Sequence, residues 1–253
     1  MTKTHTPHEL PRLGGELRSA KTAQRLLEEL RSGTFAAANQ LPSELELAEQ
    51  LGVSRTVVRD ALSELERSGY VERVRGIGTV VNRAVVGLAG RMDQKLEFYR
   101  MIREAGYEPH SDDLTVTREK AGPELAARLK LPSPDDVLLV VRRRVLADAR
   151  PVLYSTDMLP LALFEGKHPE RLDFSRPIFD LVREVCATEV TSTVAHLRAV
   201  AGTPLLRRQL ALGEEQALLQ LDEVCYSRLC RPVLCCRTCY TDFFDFAMVR
   251  KLL

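Results

Sequence analysis

The 253-residue chain has no tryptophan, few aromatic residues (6%) and almost no net charge (+1). No apolar run approaches the ~20 residues that a helical membrane span needs, so a membrane partner is not expected. The opening stretch MTKTHTPHELPRLGG lacks the apolar core of a signal peptide, which points to the cytoplasm and to six reduced cysteines. There is no HExxH, no phosphate-binding loop and no Ser-His-Asp arrangement, so the enzyme classes built on those motifs are not indicated and no cofactor is expected. Net basicity is missing too. Residues 16–83 carry ten Lys or Arg against ten Asp or Glu. Any nucleic-acid binding must therefore rest on where the arginines stand, not on how many there are.

What is present is concentrated in residues 41–81, LPSELELAEQLGVSRTVVRDALSELERSGYVERVRGIGTVV. Ser43 stands three residues before Glu46, a capping-box pattern that starts a helix. Leu45, Ala48 and Leu51 recur at helical spacing. Gly52 permits the positive φ that ends a helix, and Ser54 can cap the next one. Val57 or Val58, Ala61, Leu62 and Leu65 give that second helix one apolar face. Gly69 follows it, then two short strands, 70–74 and 79–81, joined by Arg75-Gly76-Ile77-Gly78. Helix, tight turn, helix and hairpin in this order describe a winged helix-turn-helix. The first turn of its second helix carries Arg55, Thr56 and Arg59, side chains able to reach base edges and phosphates. Arg75 beside Gly76 and Gly78 makes a wing tip that can approach a groove closely. Each piece alone also fits a solvated helical domain; their joint register favours double-stranded DNA. A further helix is expected over 17–32, with Ala20, Ala23, Leu27 and Leu30 on one face.

This stretch closely resembles the GntR family of bacterial transcription regulators. The residues that carry the resemblance are Leu41-Pro-Ser-Glu44, Glu46-Leu-Ala48, Gly52-Val-Ser-Arg-Thr56, Val58-Arg59, Ala61-Leu62, Leu65-Glu66, Gly69 and Gly76-x-Gly78-Thr79. The resemblance implies a DNA-binding set of Ser43, Ser54, Arg55, Thr56, Arg59, Arg75, Gly76 and Gly78. Two positions depart from the family pattern: Leu45 stands where an Arg is usual, and Val57 where a second Thr is usual. Fewer polar contacts per half-site follow from both.

The chain beyond residue 83 reads as a linker (83–92), a helix over about 93–105 and then a duplication. Residues 123–158 align with 204–239 at an offset of 81, matching both prolines and an Arg-Pro-Val-Leu run. Each copy reads as a short helix, a long strand and a return strand, which implies an antiparallel sheet with helices against one side. Strand 137–145 places Arg143 on one face with Val137, Leu139, Val141 and Val145. A buried Arg needs a partner, either an internal acid or a bound anion.

This half resembles the UTRA effector domain of HutC-type GntR regulators, whose fold is that of chorismate lyase. The carriers are the repeat, Arg143, Ala147-Asp148, Pro151, Leu159-Pro160 and Pro177-Ile-Phe-Asp-Leu181. The fold class expected is thus α+β: an N-terminal winged helix-turn-helix (10–82), a linker (83–92) and a C-terminal antiparallel-sheet domain of chorismate-lyase-like fold with an internal duplication (93–250). The resemblance implies a homodimer that binds an operator and a small-molecule effector, with effector residues Tyr99, Arg143, Tyr154, Ser155, Asp157 and Tyr240. A second Arg is usual two residues after Arg143; here it is Val145. Ser155 replaces a usual acid. Both changes suggest a less highly charged effector, such as a monocarboxylate or an aromatic compound. Two alternatives remain: an enzyme on the chorismate-lyase fold, and a thiol- or metal-responsive regulator using Cys225, Cys230, Cys235, Cys236 and Cys239. Alternation along the strand sets Cys235 and Cys239 on one face and Cys236 on the other. His196 reads as a satisfied structural histidine.

Overall fold

The computed structural model describes residues 18–88, 90–94 and 97–251. It divides into two compact units: the first runs to residue 88 and also takes 249–251, and the second spans 90–248.

In the first unit, α1 (Arg18–Arg31) packs Thr22, Ala23, Leu26 and Leu30 inward. Leu26 thus takes the inner place expected of Leu27, which is half-buried, while Ala20 is exposed. After β1 (Gln40–Leu41), α2 (Glu44–Leu51) opens with the full capping box: the Ser43 hydroxyl accepts from the Glu46 amide, and the Glu46 carboxylate accepts from the Ser43 amide at 2.9 Å. Replacing Ser43 with alanine should lower stability by about 1 kcal/mol, read as a shifted urea midpoint. α2 closes at Gly52, φ +64°. Its inner residues are Leu47 and Ala48, whereas Leu45 is 53% exposed. The expectation that Leu45 belongs to the apolar face is corrected here: Leu45 and Leu47 straddle the edge of that face, and only the latter points inward. α3 (Arg55–Arg67) buries Val58, Ala61, Leu62 and Leu65. β2 (Val71–Val74) and β3 (Gly78–Val81) form the hairpin, with β1 on the outer side of β3. The start of the expected linker is built into this unit. α4 (Arg83–Val86) adds Val85 and Val86 to the core, and the Arg83 guanidinium donates to the carbonyls of Leu30 (2.8 Å), Phe35 (2.6 Å) and Ala38.

The second unit begins with β4 (Gly90–Arg91) and α5 (Phe98–Glu104). The helix expected over 93–105 starts later than that, and residues 95 and 96 lie outside the described residues. Then follow β5 (Pro109–Lys120), α6 (Gly122–Leu129), β6 (Val137–Ala147), β7 (Arg150–Pro160), α7 (Ile178–Cys186), β8 (Val190–Ala201), α8 (Pro204–Leu210), β9 (Ala217–Ser227), β10 (Pro232–Tyr240) and β11 (Phe246–Ala247). Six strands make one antiparallel sheet in the order β5-β6-β7-β10-β9-β8. This order is symmetric about the β7–β10 seam, as a duplication requires. β8 repeats β5, and α8 repeats α6, with matching left-handed caps at Lys130 and Ala211.

The gapless offset of 81 fails at one place. The loop before β9 is one residue shorter than that before β6, so β9 repeats β6 at an offset of 80. The turn before β10 restores the register. A one-residue slip exchanges the faces of a strand, so the structural counterpart of Arg143 is Glu223, not Val224. The pairing agrees: Arg143 lies opposite Ser155, and Glu223 lies opposite Cys236, the repeat of Ser155.

Helices cover both faces of the sheet rather than one. α6 packs Ala126 and Leu129 with Leu138, Val140 and Val224 on one side, where α8 also lies with Leu210 and Leu218. On the other side α7 packs Ile178, Leu181 and Val182 against Leu139, Val141, Leu159 and Cys225. The reason is visible in Val137-Leu-Leu-Val-Val141: consecutive apolar residues leave neither face fit for water.

Candidate DNA interface and effector cavity

In the first unit, the side chains expected at DNA stand together on the solvent side of α3. Arg55, Thr56 and Arg59 are exposed, and the Arg55 guanidinium lies 3.6 Å from the Glu44 carboxylate. Ser54 caps α3 by accepting from the Val57 amide at 3.3 Å, and Ser43 is engaged in its capping box. Both serines are thus held first by helix ends. Val57 is half-buried. The wing tip exposes Arg75, Gly76 and Gly78, with φ of +80° and +117° at the glycines. A Cβ at Gly78 would lie 2.6 Å from Nε2 of the exposed Gln40, which donates to the Ile77 carbonyl at the tip, so Gln40 would have to shift, and the φ of +117° would strain any other residue there. Leu45 and Ile77, both more than half exposed, add apolar surface. Leu45 was noted in the sequence as a departure. Ile77 was not singled out, though its place between two positive-φ glycines marks it as a tip residue.

In the second unit, a cavity of 490 Å³ lies over the sheet face that carries Glu223, Cys236, Asp157, Thr238 and Tyr240. Such a volume suits a small metabolite. α7 contributes Ile178 and Phe179, α5 contributes Phe98 and Met101, and the rest of the wall comes from β4 and β11 with Arg91, Met92, Phe246 and Met248. Two of the six expected effector residues, Asp157 and Tyr240, line it. The other four are placed elsewhere. Arg143 is 0% exposed, with all three guanidinium nitrogens engaged: Nη2 donates to Asp157, Nε to Ser155 (3.2 Å), and Nη1 to the carbonyls of Phe174 (3.0 Å) and Arg176 (2.8 Å). Of the two partners open to a buried Arg, the internal acid is the one present. Tyr99 turns its hydroxyl to the Ser175 carbonyl at 2.7 Å. Ser155 is buried under Arg143, and Tyr154 points to the opposite face, beside Leu210 and Leu218.

The charged groups on the described part of the wall are Arg91, Asp93, Glu97, Asp157 and Glu223. Arg91 is buried and pairs with Asp93. Burial raises the Glu97 carboxyl above its ordinary value, although it caps α5 by accepting from the Tyr99 amide. Burial likewise raises the Tyr240 hydroxyl. Sequence reasoning missed Arg91, Glu97, Glu223 and Phe246. Only Glu223 carried a signal, an acid in a long apolar strand.

Of the five clustered cysteines, Cys225, Cys235, Cys236 and Cys239 are buried in packing and Cys230 is exposed. Cys235 and Cys239 are buried on the α6/α8 face, and burial pushes both thiols up to about 11. Cys236 and Cys225 share the cavity face, their Sγ atoms 3.8 Å apart. Among the described residues no group of His, Cys, Asp or Glu is placed to hold a metal ion. His196 is exposed on edge strand β8 rather than satisfied in a core. No described helix is long and apolar enough to cross a membrane.

A winged helix with an exposed recognition helix, joined in one chain to a sheet domain with a metabolite-sized cavity, defines a DNA-binding regulator of transcription. Residues 18–81 match the bacterial regulatory proteins of the gntR family, and residues 104–242 match the UTRA domain. The chain belongs to the GntR family, in the branch that carries a UTRA domain. It is 29% identical over 207 residues to the HTH-type transcriptional repressor NagR of Bacillus subtilis (80% of this chain, 82% of that one). It is 26% identical over 227 residues to a probable fructoselysine utilization operon transcriptional repressor of Escherichia coli (88% and 89%). The crystal structure of YydK from Bacillus subtilis, a possible transcriptional regulator, shares the fold with a TM-score of 0.73 at 17% identity, covering 93% of this chain and all of that one.

Proposed function

We propose that the protein is a cytoplasmic, homodimeric repressor that binds a pseudo-palindromic operator and is released from it by a small metabolite held in the 490 Å³ cavity. The observation that carries this reading is the exposure of Arg55, Thr56 and Arg59 together on the first turn of α3, with no core role to explain them. A two-fold pair of such helices reads two half-sites. Similarity to proteins named as repressors supports repression as the outcome of DNA binding.

Asp157 and Tyr240 are assigned to effector contact, joined by Glu223, Thr238 and Phe179. Arg143 is assigned to holding Asp157, so the effector's polar groups meet the wall elsewhere. The test is selection of fragmented source-genome DNA on the purified protein, followed by sequencing. One pseudo-palindrome enriched upstream of an operon is the expected result. Enrichment no better than on a basic control protein at moderate salt would reject the reading. Because phosphate contacts release counterions, affinity for the selected site should fall as a power of salt concentration, with a slope of about −0.9 per phosphate neutralised. Titration at several salt concentrations measures it.

A further inference from the structure

The chain passes between its two units twice: once after residue 88 and again after Met248. Both passages leave from the same place. β11 pairs in parallel with β4, Phe246 opposite Gly90 and Ala247 opposite Arg91, and the Met92 amide donates to the Ala247 carbonyl at 2.8 Å. The fit is tight, because a Cβ on Gly90 would lie 2.7 Å from the Asp245 carbonyl oxygen. This two-stranded pair is also wall: Arg91, Met92, Phe246 and Met248 line the cavity.

The residues after Met248 belong to the DNA-binding unit and join its core. Val249 packs in the same cluster as Leu65 and Tyr70, with Cγ1 3.0 Å from where a Cβ on Gly69 would stand. Lys251 Nζ donates to the Glu66 carbonyl at 2.8 Å and meets the Glu72 carboxylate at 3.1 Å. Glu66 lies in the last turn of α3, where the negative end of the helix dipole favours a cation; its carbonyl also accepts from the Gly69 amide at 2.9 Å.

We infer that the C-terminal segment 246–251 is a strap that ties the cavity wall to the end of the recognition helix, so that a ligand moving the β4–β11 pair alters α3 through Val249 and Lys251 as well as through the linker. This rests on the cavity being the effector site and α3 the DNA reader. Coupling between two sites is reciprocal. If the strap carries it, operator DNA bound to α3 must change the β4–β11 pair in return, and no effector is needed to see this.

The experiment is amide hydrogen exchange on the full chain, with and without the selected operator DNA, followed in peptides covering 88–94 and 244–251. The expected result is a change of about threefold or more in exchange at 88–94 on DNA binding. In Lys251→Glu and Val249→Ser variants that change should disappear while operator affinity stays within about threefold of the parent. Unaltered exchange at 88–94 in the parent chain overturns the strap. A change that persists in both variants overturns it too, and assigns the coupling to the linker alone. If a variant loses DNA binding, exchange across 55–81 tells a misfolded unit from a folded one; a folded unit that no longer binds would make the segment part of the DNA interface and overturn the strap. Loss of specific DNA binding in the parent would instead reject the repressor reading itself.

Discussion

Arg143→Ala is expected to destabilise the second unit by about 3–5 kcal/mol, the cost of leaving a buried charge without its partner. Asp157 would lose its guanidinium while remaining almost inaccessible to water. The carbonyls of Phe174 and Arg176 would lose their donor as well. Denaturant unfolding followed by a probe in the second unit measures the effect. A change under about 1 kcal/mol would show that water replaces the guanidinium freely. A double change, Arg143→Met with Asp157→Leu, removes both charges, and replacing a whole buried pair with apolar residues is often close to neutral. Only part of the loss should return, because the two carbonyls stay unsatisfied. The double variant separates the electrostatic share of Arg143 from its share as a knot tying β6 and β7 to the segment before α7.

Arg59→Ala is expected to weaken operator binding about tenfold or more, with the fold intact. Its side chain is exposed and the inner face of α3 is carried by Val58, Ala61, Leu62 and Leu65. One good arginine contact to a base contributes about 1–3 kcal/mol, and the proposed dimer would make the change in both half-sites. Fluorescence anisotropy with labelled operator reads the loss, and an unchanged melting temperature excludes misfolding. A variant that binds as tightly as the parent would remove Arg59 from the interface. Arg55→Ala offers a comparison, since Arg55 also faces Glu44 and its loss frees that carboxylate near the phosphates.

The DNA-binding unit was legible in the sequence because its signals are local. The Ser43–Glu46 box, Gly52 and the Ser54 cap act within a few residues, and each was found where expected. Leu45 was misplaced because Leu-Glu-Leu at the rim of a helix face fits two rotations of the helix, and packing against the rest of the unit decides between them. The sheet was legible as a repeat, yet its register was not. A loop one residue shorter, compensated by a longer turn, leaves an ungapped alignment nearly as good while turning β9 over. The partner of Arg143 required knowing that β6 and β7 pair with Arg143 opposite Ser155, which brings Asp157 within reach. The cavity was the least legible part. Its wall draws on residues 91–101 and 246–248, which are far apart in sequence and share no pattern; only the β4–β11 pairing unites them.

The corrected register sets Arg143 and Glu223 as equivalents across the β7–β10 seam, each in a middle row of its own copy. The first copy has closed most of its row on itself, Arg143 gripping Asp157 and Ser155, and of these only Asp157 reaches the cavity wall. The second copy has left its row, Glu223 with Cys236 and Thr238, facing the cavity. On the proposed reading of the cavity, the two copies share the work unevenly: the first mainly holds the sheet and the second mainly faces the ligand. Substitutions at Glu223 or Thr238 should then change what the cavity accepts while Arg143 keeps the sheet intact, so chemical taste can be altered without renegotiating the fold.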